Sequence, residues 1–286
     1  EVKFLYDKSA LYIGAVLYDV SKDSITQTLS NRDDFGNADY FGVIIDTYGS
    51  STIGFSYLVT SAGVQIDELH TSGSIDRNWN AAWYSKVTIH DDKWVVEMKI
   101  PLSSIRFPNQ DIQNWRINFN RSTRRNREDS FWNYNDPKGF NFLSQFGELT
   151  GVKGIKSPLR LSVSPYLSGY VENYDGTTNT TFNGGMDLKY GINDAFTIDM
   201  TLIPDFGQVQ FDEQVLNLSP FEVRYNENRQ FFTEGTELFN KAGIFYSRRI
   251  GSTPINRYKT DEGQNEIIVS NPSVTPLLNA TKLSGR

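Results

Sequence analysis

The residues best suited to contact a sugar lie in segment 76–84, whose sequence is DRNWNAAWY. Proteins hold sugars by stacking aromatic rings on the apolar face of a pyranose and by directing planar polar groups at its hydroxyls. Trp79 stands in a polar stretch, where an exposed indole is less expected than a buried one. The alternative is that Trp83 is the first inward residue of its strand and that Trp79 closes the edge of the core. The predicted sugar contacts in this segment are Arg77, Trp79, Trp83 and Tyr84.

A run of basic residues follows at 121–127, with the sequence RSTRRNR. The chain has a formal net charge of −6 and no nucleic-acid-binding motif, so nucleic acid is not an expected partner. A guanidinium group can instead bind a pair of glycan hydroxyls or an anionic lipopolysaccharide. We therefore predict that Arg121 contributes to the sugar site. The alternative is that the run forms salt bridges with Glu128, with Asp129 or with the top of a barrel.

Acidic residues recur between positions 33 and 46 and offer ligands for a cation. Calcium is a hard cation that takes roughly six to eight oxygen ligands. We predict that Asp33, Asp34 and Asp39 contribute to a calcium site, although their spacing does not match an EF-hand loop. The alternative is that they are solvated turn residues.

Hydrolytic chemistry has few candidates in this chain. There is no cysteine, which excludes thiol catalysis, and His70 and His90 are the only histidines. Neither lies near a Gly-x-Ser-x-Gly nucleophile elbow. Glycoside hydrolysis needs two carboxylates that converge, and Asp67, Glu68 and Glu97 are the ones to nominate. Nothing in their spacing brings a pair together, so we expect binding without catalysis.

Short strand-like runs rich in aromatic and β-branched residues fill the first half of the chain. Segment 83–100 predicts a hairpin around the polar turn 90–93, and segment 101–105 predicts a short helical turn. No long stretch with a period of 3.6 residues is present. This pattern favours an antiparallel β-sandwich over residues 1–152. The predicted strands are 11–18, 40–46, 55–60, 83–89, 94–100 and 115–120.

The second half, residues 153–286, alternates more strictly between apolar and polar residues. Segments 159–171, 182–189 and 196–202 each have one apolar and one polar face, separated by a polar loop at 172–181 and a turn at 191–194. Outer-membrane barrel strands are apolar toward lipid and polar toward the lumen. A half-exposed soluble sheet alternates in the same way. About 130 residues give roughly six barrel strands, too few to close, so we expect a barrel that continues beyond residue 286.

Several motifs in order resemble a known pair of families. Residues 1–152 resemble a carbohydrate-binding module family 9-like domain, and the remainder resembles an outer-membrane β-barrel domain of unknown function, family 5916, found in Bacteroidetes-like organisms. The resemblance implies an all-β protein whose first module strand precedes Glu1. The motifs that carry it are 5–7, 11–14, 39–48, 94–101 and 115–121 in the first half, and 204–209, 229–235 and 245–251 in the second.

This resemblance implies non-catalytic binding of a polysaccharide or glycan at the bacterial outer membrane, with outer-membrane lipid as a second partner. It leaves open whether the sandwich faces the periplasm or the exterior. One alternative is an envelope assembly or secretion component that binds protein rather than sugar. Another is an accessory unit of a glycoside hydrolase system.

Overall fold

The computed structural model describes residues 1–71, 75–77, 79–139, 141–174, 176–193, 196–204, 224–225, 227, 229–233, 245–252, 254 and 275–285. The chain divides into two compact units, Glu1–Arg160 and Leu161–Arg286, which are considered separately. Part of the 204–209 and 229–235 motifs lies outside the described residues.

The first unit is built of eleven described strands and three-residue 3₁₀ turns. The predicted helical turn at 101–105 is one of these turns, Leu102–Ser104. The strands are β1 (Val2–Tyr6), β2 (Ala10–Tyr18), β3 (Tyr40–Asp46), β4 (Ile53–Thr60), β5 (Gln65–Thr71), β6 (Ile75–Asp76), β7 (Tyr84–Ile89), β8 (Lys93–Pro101), β9 (Trp115–Thr123), β10 (Glu128–Phe131) and β11 (Gly147–Leu149).

These strands form two antiparallel sheets that enclose one core, which confirms the predicted β-sandwich. The first sheet has the order β1-β2-β8-β7, and the second has the order β10-β9-β3-β4-β5-β6, with β11 also paired to β9. The β7–β8 hairpin has the predicted position, with Ile89 opposite Trp94. Trp94, Tyr57 and Trp115 are among the largest fully buried side chains of the core.

The outer face of the second sheet is also covered. Ile44 on β3 is buried against Leu143 and Phe146, and Phe142 packs against the same cluster. These three residues belong to the segment that follows β10, and Asn118 on β9 anchors that segment through hydrogen bonds with the backbone of Asn133. Both faces of β3 and β4 are therefore buried, which explains why these strands read as near-continuous apolar runs.

The second unit contains one described four-stranded antiparallel sheet in the order β12-β13-β14-β15. The strands β12 and β13 continue to residues 174 and 177, so segment 172–181 is a hairpin and the predicted long loop is wrong. Segment 172–181 contains four threonines, and threonine favours strands although it is polar, so polarity alone did not indicate a loop. The strands are β12 (Leu161–Tyr174), β13 (Thr177–Gly191), β14 (Phe196–Leu202) and β15 (Asn279–Gly285).

This sheet has an apolar and a polar face; the apolar face is exposed on β12, and the buried residues of the polar face lie on β14. The exposed face includes Leu167, which is 92% accessible, together with Phe182 and Val171. On the opposite face Thr201 is 1% accessible and Thr197 is buried as well. Soluble sheets bury their apolar face, so the distribution here is inverted.

The covered face carries a row of charges and a packed segment. Asp199 on β14 lies 3.9 Å from the Lys189 ammonium and 3.7 Å from that of Lys282, on the two neighbouring strands. The Lys282 ammonium also donates to the carbonyl oxygen of Phe231, in the helical turn α1 (Gln230–Thr233). These three charges thus compensate one another within the unit. No helix among the described residues is long and apolar enough to cross a membrane.

Two strand glycines allow a matched test of the packing on the second sheet. A methyl group at Gly42 would lie 2.6 Å from Cγ of Leu58 and 3.0 Å from the carbonyl oxygen of Tyr57, whereas one at Gly14 meets no atom within 4 Å. We expect Gly42→Ala to reduce the free energy of unfolding by about 1–3 kcal/mol. Gly14→Ala should change it by less than about 0.5 kcal/mol. All five tryptophans lie in the first unit, so urea unfolding followed by tryptophan fluorescence measures the difference. Equal effects of the two substitutions would contradict the packing.

Candidate carbohydrate site

The carboxylate of Asp67 organises the segment that the sequence nominated for sugar binding. Asp67 lies on β5 with its side chain toward the core and fully buried. It accepts hydrogen bonds from the backbone amide of Ala81 at 2.6 Å and from the indole nitrogen of Trp83 at 3.2 Å. The guanidinium of Arg32 lies 2.5 Å from the same carboxylate. Three separate segments therefore meet at one side chain.

Asp33 adds a second carboxylate to this network. Its Oδ1 atom accepts a hydrogen bond from the backbone amide of Asp67, and Oδ2 lies 3.7 Å from Nε of Arg32. Burial raises the pKa of Asp67 and of Asp33 above the usual aspartate range, and this exceeds the opposing effect of Arg32 and the hydrogen bonds. The guanidinium of Arg32 thus compensates two carboxylates, the buried one of Asp67 and the half-buried one of Asp33.

Trp79 and Trp83 lie in the core rather than on the surface. They are 6% and 5% accessible. The Trp79 ring packs on Phe55 and Tyr57 at centroid distances of 5.4 and 5.8 Å, and Trp83 packs edge-on against Tyr57 at 5.5 Å. In this arrangement neither indole offers a free face for stacking. The physical reason is that the Asp67 network draws residues 81–83 inward, as the alternative interpretation of this segment held.

Arg77 remains at the surface and is held by a buried acid. Its Nε atom donates to Oε1 of Glu68 at 2.9 Å, while most of its side chain is exposed. Oε2 of Glu68 lies 3.4 Å from Nε2 of His70, whose ring stacks on Phe142. Burial alone would raise the pKa of Glu68, but contacts with His70 and Arg77 outweigh it and lower this pKa.

Tyr84 is exposed, but it belongs to the other sheet. It opens β7, at the edge of the first sheet, opposite Lys99 on β8. Arg77 lies beyond the short edge strand β6 of the second sheet, and its guanidinium contacts β5. The structure therefore separates Tyr84 from Arg77 and does not assemble the predicted four-residue site.

The predicted calcium ligands serve the backbone instead. Oδ1 of Asp34 accepts the amide of Gly36, and Asp39 accepts the amide of Arg124 at 2.7 Å. With Asp33 engaged at Asp67, the three carboxylates have separate partners. No group of three or more histidine or acidic side chains in the described part of the chain is arranged to hold a metal ion. The clustering in sequence reflects turns that need side-chain acceptors.

Arg121 is fixed by a buried aspartate. Its Nη2 atom donates to Oδ2 of Asp19 at 3.2 Å, and Arg125 donates to Oδ1 of the same residue at 3.0 Å. Burial would raise the pKa of Asp19, but hydrogen bonds from Ser24, the Val20 amide and Arg125 outweigh it and lower this pKa. Arg121 is thus held in one orientation.

The exposed tryptophan of the chain is Trp132, which the sequence did not nominate for sugar binding. It is 62% accessible, whereas the other four tryptophans are buried. Its amide donates to the carbonyl oxygen of Phe119 on β9, and its ring stands edge-on to the Phe119 ring at 6.0 Å. Tyr134 is exposed as well.

Close packing against a glycine fixes the Trp132 ring. A methyl group at Gly147 on β11 would lie 2.5 Å from Cζ3 of this indole, so only glycine allows the approach. The neighbouring Asn133 donates from its side chain to the carbonyl oxygen of Gln145, and the Gln145 side chain accepts the Asp136 amide at 2.7 Å. The segment is therefore rigid before any ligand arrives.

A sequence signal for this site does exist. Segment 131–135, FWNYN, alternates large aromatic rings with asparagine. Both asparagines are half-buried and Asn133 forms hydrogen bonds, while the second and fourth residues are exposed. An aromatic residue that alternates with buried amides is a candidate for exposure, which the argument from segment 76–84 overlooked.

The nominated catalytic carboxylates do not converge. Asp67 and Glu68 are consecutive on β5 and therefore point to opposite faces of the sheet. Glu97 lies exposed on the first sheet. His90 lies in the turn between β7 and β8. The structure thus forms no acid–base pair from these residues.

The two parts of the chain match two different family models. A family model described as carbohydrate family 9 binding domain-like matches residues 1–153, more than half of the chain. A second, described as a domain of unknown function (DUF5916), matches residues 157–286. No match was found among curated proteins.

Two solved structures are similar to the first unit. One is a carbohydrate-binding module family 9 from Caldicellulosiruptor kristjanssonii in complex with cellotriose, with 20% identity, a TM-score of 0.36, and coverage of 55% of this chain and 74% of that chain. The other is a candidate carbohydrate-binding protein from Bacteroides uniformis, with 11% identity, a TM-score of 0.37, and coverage of 52% and 76%.

The lowered pKa of Glu68 predicts how acid affects the first unit. A carboxylate whose pKa is lowered on folding stabilises the protein above its unfolded pKa of about 4.5, and this contribution is lost as the pH falls through the folded value. We expect Glu68→Gln to cost about 1–3 kcal/mol at pH 7 and less at pH 3.5. Urea unfolding at both pH values measures the difference, with exposed Glu97→Gln as the control. A cost that does not shrink in acid would contradict the ion-pair role.

Proposed function

Since this chain belongs to the carbohydrate family 9 binding domain-like family, we propose that its first unit binds carbohydrate and that Trp132 is the principal contact. The observation that carries the proposal is the exposure of this one indole, held rigidly at the edge of the second sheet. An exposed tryptophan with a fixed ring can stack on the apolar face of a pyranose without a large loss of conformational entropy.

Arg121 supplies a polar group on the same side of β9. Arg121 and Phe119 are two residues apart, so they share a face and lie about 7 Å apart along the strand. The Trp132 ring contacts Phe119. Nη2 of Arg121 is held by Asp19, and in the described part of the chain its Nε and Nη1 atoms have no recorded partner. These donors are available for sugar hydroxyls.

The binding mechanism is stacking combined with hydrogen bonding, with no bond made or broken. Sugar hydroxyls must leave water, and the hydrogen bonds gained largely replace those lost. Affinity then depends on the ring contact and on the rigidity of segment 131–136, so we expect it to be modest.

Substitution of the indole tests this site. We expect Trp132→Ala to weaken glycan binding at least about tenfold, because a central aromatic anchor carries most of the energy of such a contact. Trp132→Phe should retain part of the affinity. The measurement is isothermal titration of the full chain in detergent with cellotriose and with a panel of plant and bacterial oligosaccharides. Tyr84→Ala removes an equally exposed ring from the other sheet and serves as the control.

Other results would favour the alternative functions. Binding that survives Trp132→Ala but is lost in Tyr84→Ala would move the contact to the first sheet. Stoichiometric copurification of a protein from membranes, without glycan retention, would favour an assembly or secretion partner. Release of reducing ends from a polysaccharide would favour an enzymatic role.

We further propose that the second unit lies against outer-membrane lipid and forms part of a barrel wall. Its inverted sheet supports this proposal: the row Leu161, Tyr190, Ile198 and Leu283 crosses all four strands on the exposed apolar face. The next row, with the Lys189–Asp199–Lys282 charges, is on the covered face. Lipid is the solvent that suits an apolar outer face, and the sandwich would then be tethered at the membrane.

A pair of arginine substitutions on β12 tests the lipid contact. We expect Leu167→Arg to reduce the yield of folded protein in phosphatidylcholine vesicles severalfold, because a charge on the lipid face costs up to about 2–4 kcal/mol. Ser164→Arg places the same charge on the opposite face and should have a smaller effect. Flotation with vesicles and protease resistance provide the measurement. A full chain that is monodisperse without detergent and does not float would overturn this proposal.

A further inference from the structure

A groove of about 550 Å³ opens in the first unit, away from the segment that carries Trp132. Its volume falls in the range of small-molecule sites, roughly 300–1,000 Å³. One wall is the end of β1, and the other is formed by two short antiparallel segments that meet at the Ile112–Lys153 bridge. The groove is lined by Tyr6, Asp7, Lys8, Asp111, Ile112, Lys153, Gly154 and Ile155.

The floor of this groove is apolar in an otherwise polar surface. Ile155 is buried, and Ile112 is 64% accessible although it is a large aliphatic residue. Tyr6 belongs to the same lining. A pyranose presents one apolar face of C–H groups, and a floor of this composition suits that face.

The walls are fixed by hydrogen bonds of their own. The Tyr6 hydroxyl donates to the carbonyl oxygen of Gly151 at 2.9 Å and accepts the amide of Lys153 at 3.1 Å. Gly154 donates its amide to the carbonyl oxygen of Asp111 at 3.1 Å. Strand β1 and the two segments opposite are therefore joined without a ligand.

The carboxylate of Asp7 lines the groove, but hydrogen bonds from within the protein occupy it, so it is not a ligand contact. Oδ1 accepts the hydroxyl and amide of Ser9 and the amide of Ala10, and Oδ2 accepts the hydroxyl of Tyr12. The Ser9 hydroxyl and the two backbone amides hold the pKa of Asp7 well below its usual range.

The other charged side chains of the groove form no ion pair or hydrogen bond with the described residues. Within the described residues, the ammonium groups of Lys8 and Lys153 and the carboxylate of Asp111 have no recorded hydrogen bond or ion pair. They combine donors and an acceptor with no large excess of either sign. This combination suits neighbouring hydroxyl groups, which need both, better than a phosphate or a metal ion.

From these features we propose that the groove is a second carbohydrate subsite, specific for a neutral pyranose. It rests on the proposed function of the first unit. Tyr6, Ile112 and Ile155 receive the apolar face of the sugar, and Lys8, Asp111 and Lys153 bind its hydroxyls. Two subsites on one unit raise the apparent affinity for a long glycan through effective concentration.

Isothermal titration of the full chain in detergent with cellotriose and the same oligosaccharide panel tests the subsite. We expect two binding events per chain, and Ile112→Arg should reduce them to one without changing the thermal midpoint. Trp132→Ala should leave the groove event in place. Val20→Arg, at another exposed aliphatic residue, is the control. Hydrogen exchange of segments 108–114 and 151–156 should slow on ligand addition in the wild type, in Trp132→Ala and in Val20→Arg, but not in Ile112→Arg.

The outcomes separate the two proposals. One event that Trp132→Ala removes and Ile112→Arg leaves unchanged would overturn the groove subsite and keep the Trp132 site. One event that Ile112→Arg removes and Trp132→Ala leaves unchanged would support the groove and overturn the Trp132 site. No event with any member of the panel would overturn both. Lys153→Met, which keeps the stem and removes the charge, should weaken the groove event about fivefold or more; an unchanged affinity would count against the polar contacts.

Discussion

The buried carboxylate of Asp67 is the interaction on which the arrangement of the first unit depends. It joins the loop at Arg32, strand β5 and the chain at Ala81 and Trp83. A buried carboxylate must be compensated, and its three partners come from two segments outside β5. By drawing residues 81–83 inward, it commits two tryptophans to the core. The surface aromatic chemistry of the unit is then left to other residues, above all Trp132.

The sandwich was predictable because most of its strands have a recognisable local sequence pattern. Strand β3, with its run of apolar residues between polar turns, has the predicted bounds, and the β7–β8 hairpin follows from a polar turn between aromatic runs. Strand β5 was missed because Asp67, Glu68 and His70 interrupt its apolar pattern. Asp67 is compensated by Arg32 and the His70 ring stacks on Phe142, both distant in sequence, and no local pattern reveals such partners.

The candidate site was harder to predict for the same reason. Whether a tryptophan is buried depends on what its surroundings supply: Tyr57 and Phe55 surround Trp79, whereas Gly147 leaves room beneath Trp132. The polar sequence neighbours of Trp79 suggested that it is exposed, but they do not indicate which distant residues pack around it. Among the nominated residues, Arg121 lies on β9 together with Phe119, whose ring contacts the Trp132 indole. The orientation of Arg121 comes from Asp19, which is far away in sequence. Sequence identified the chemical type of the site, and long-range contacts decided its position.

The same physical criterion distinguishes functional surfaces in both units. In the first unit the core residues are buried and single apolar side chains are also exposed, so exposure of Trp132 or Ile112 carries weight only together with its surroundings, the fixed ring of Trp132 and the groove that Ile112 lines. In the second unit the relation is reversed on part of the sheet: Thr201 on β14 is buried and Leu167 on β12 is exposed. Isolated exceptions suit a small ligand such as a sugar, because a pyranose covers one or two side chains. An apolar face that extends across four strands suits an apolar solvent or an equally extended partner, since a small ligand would leave most of the face in water.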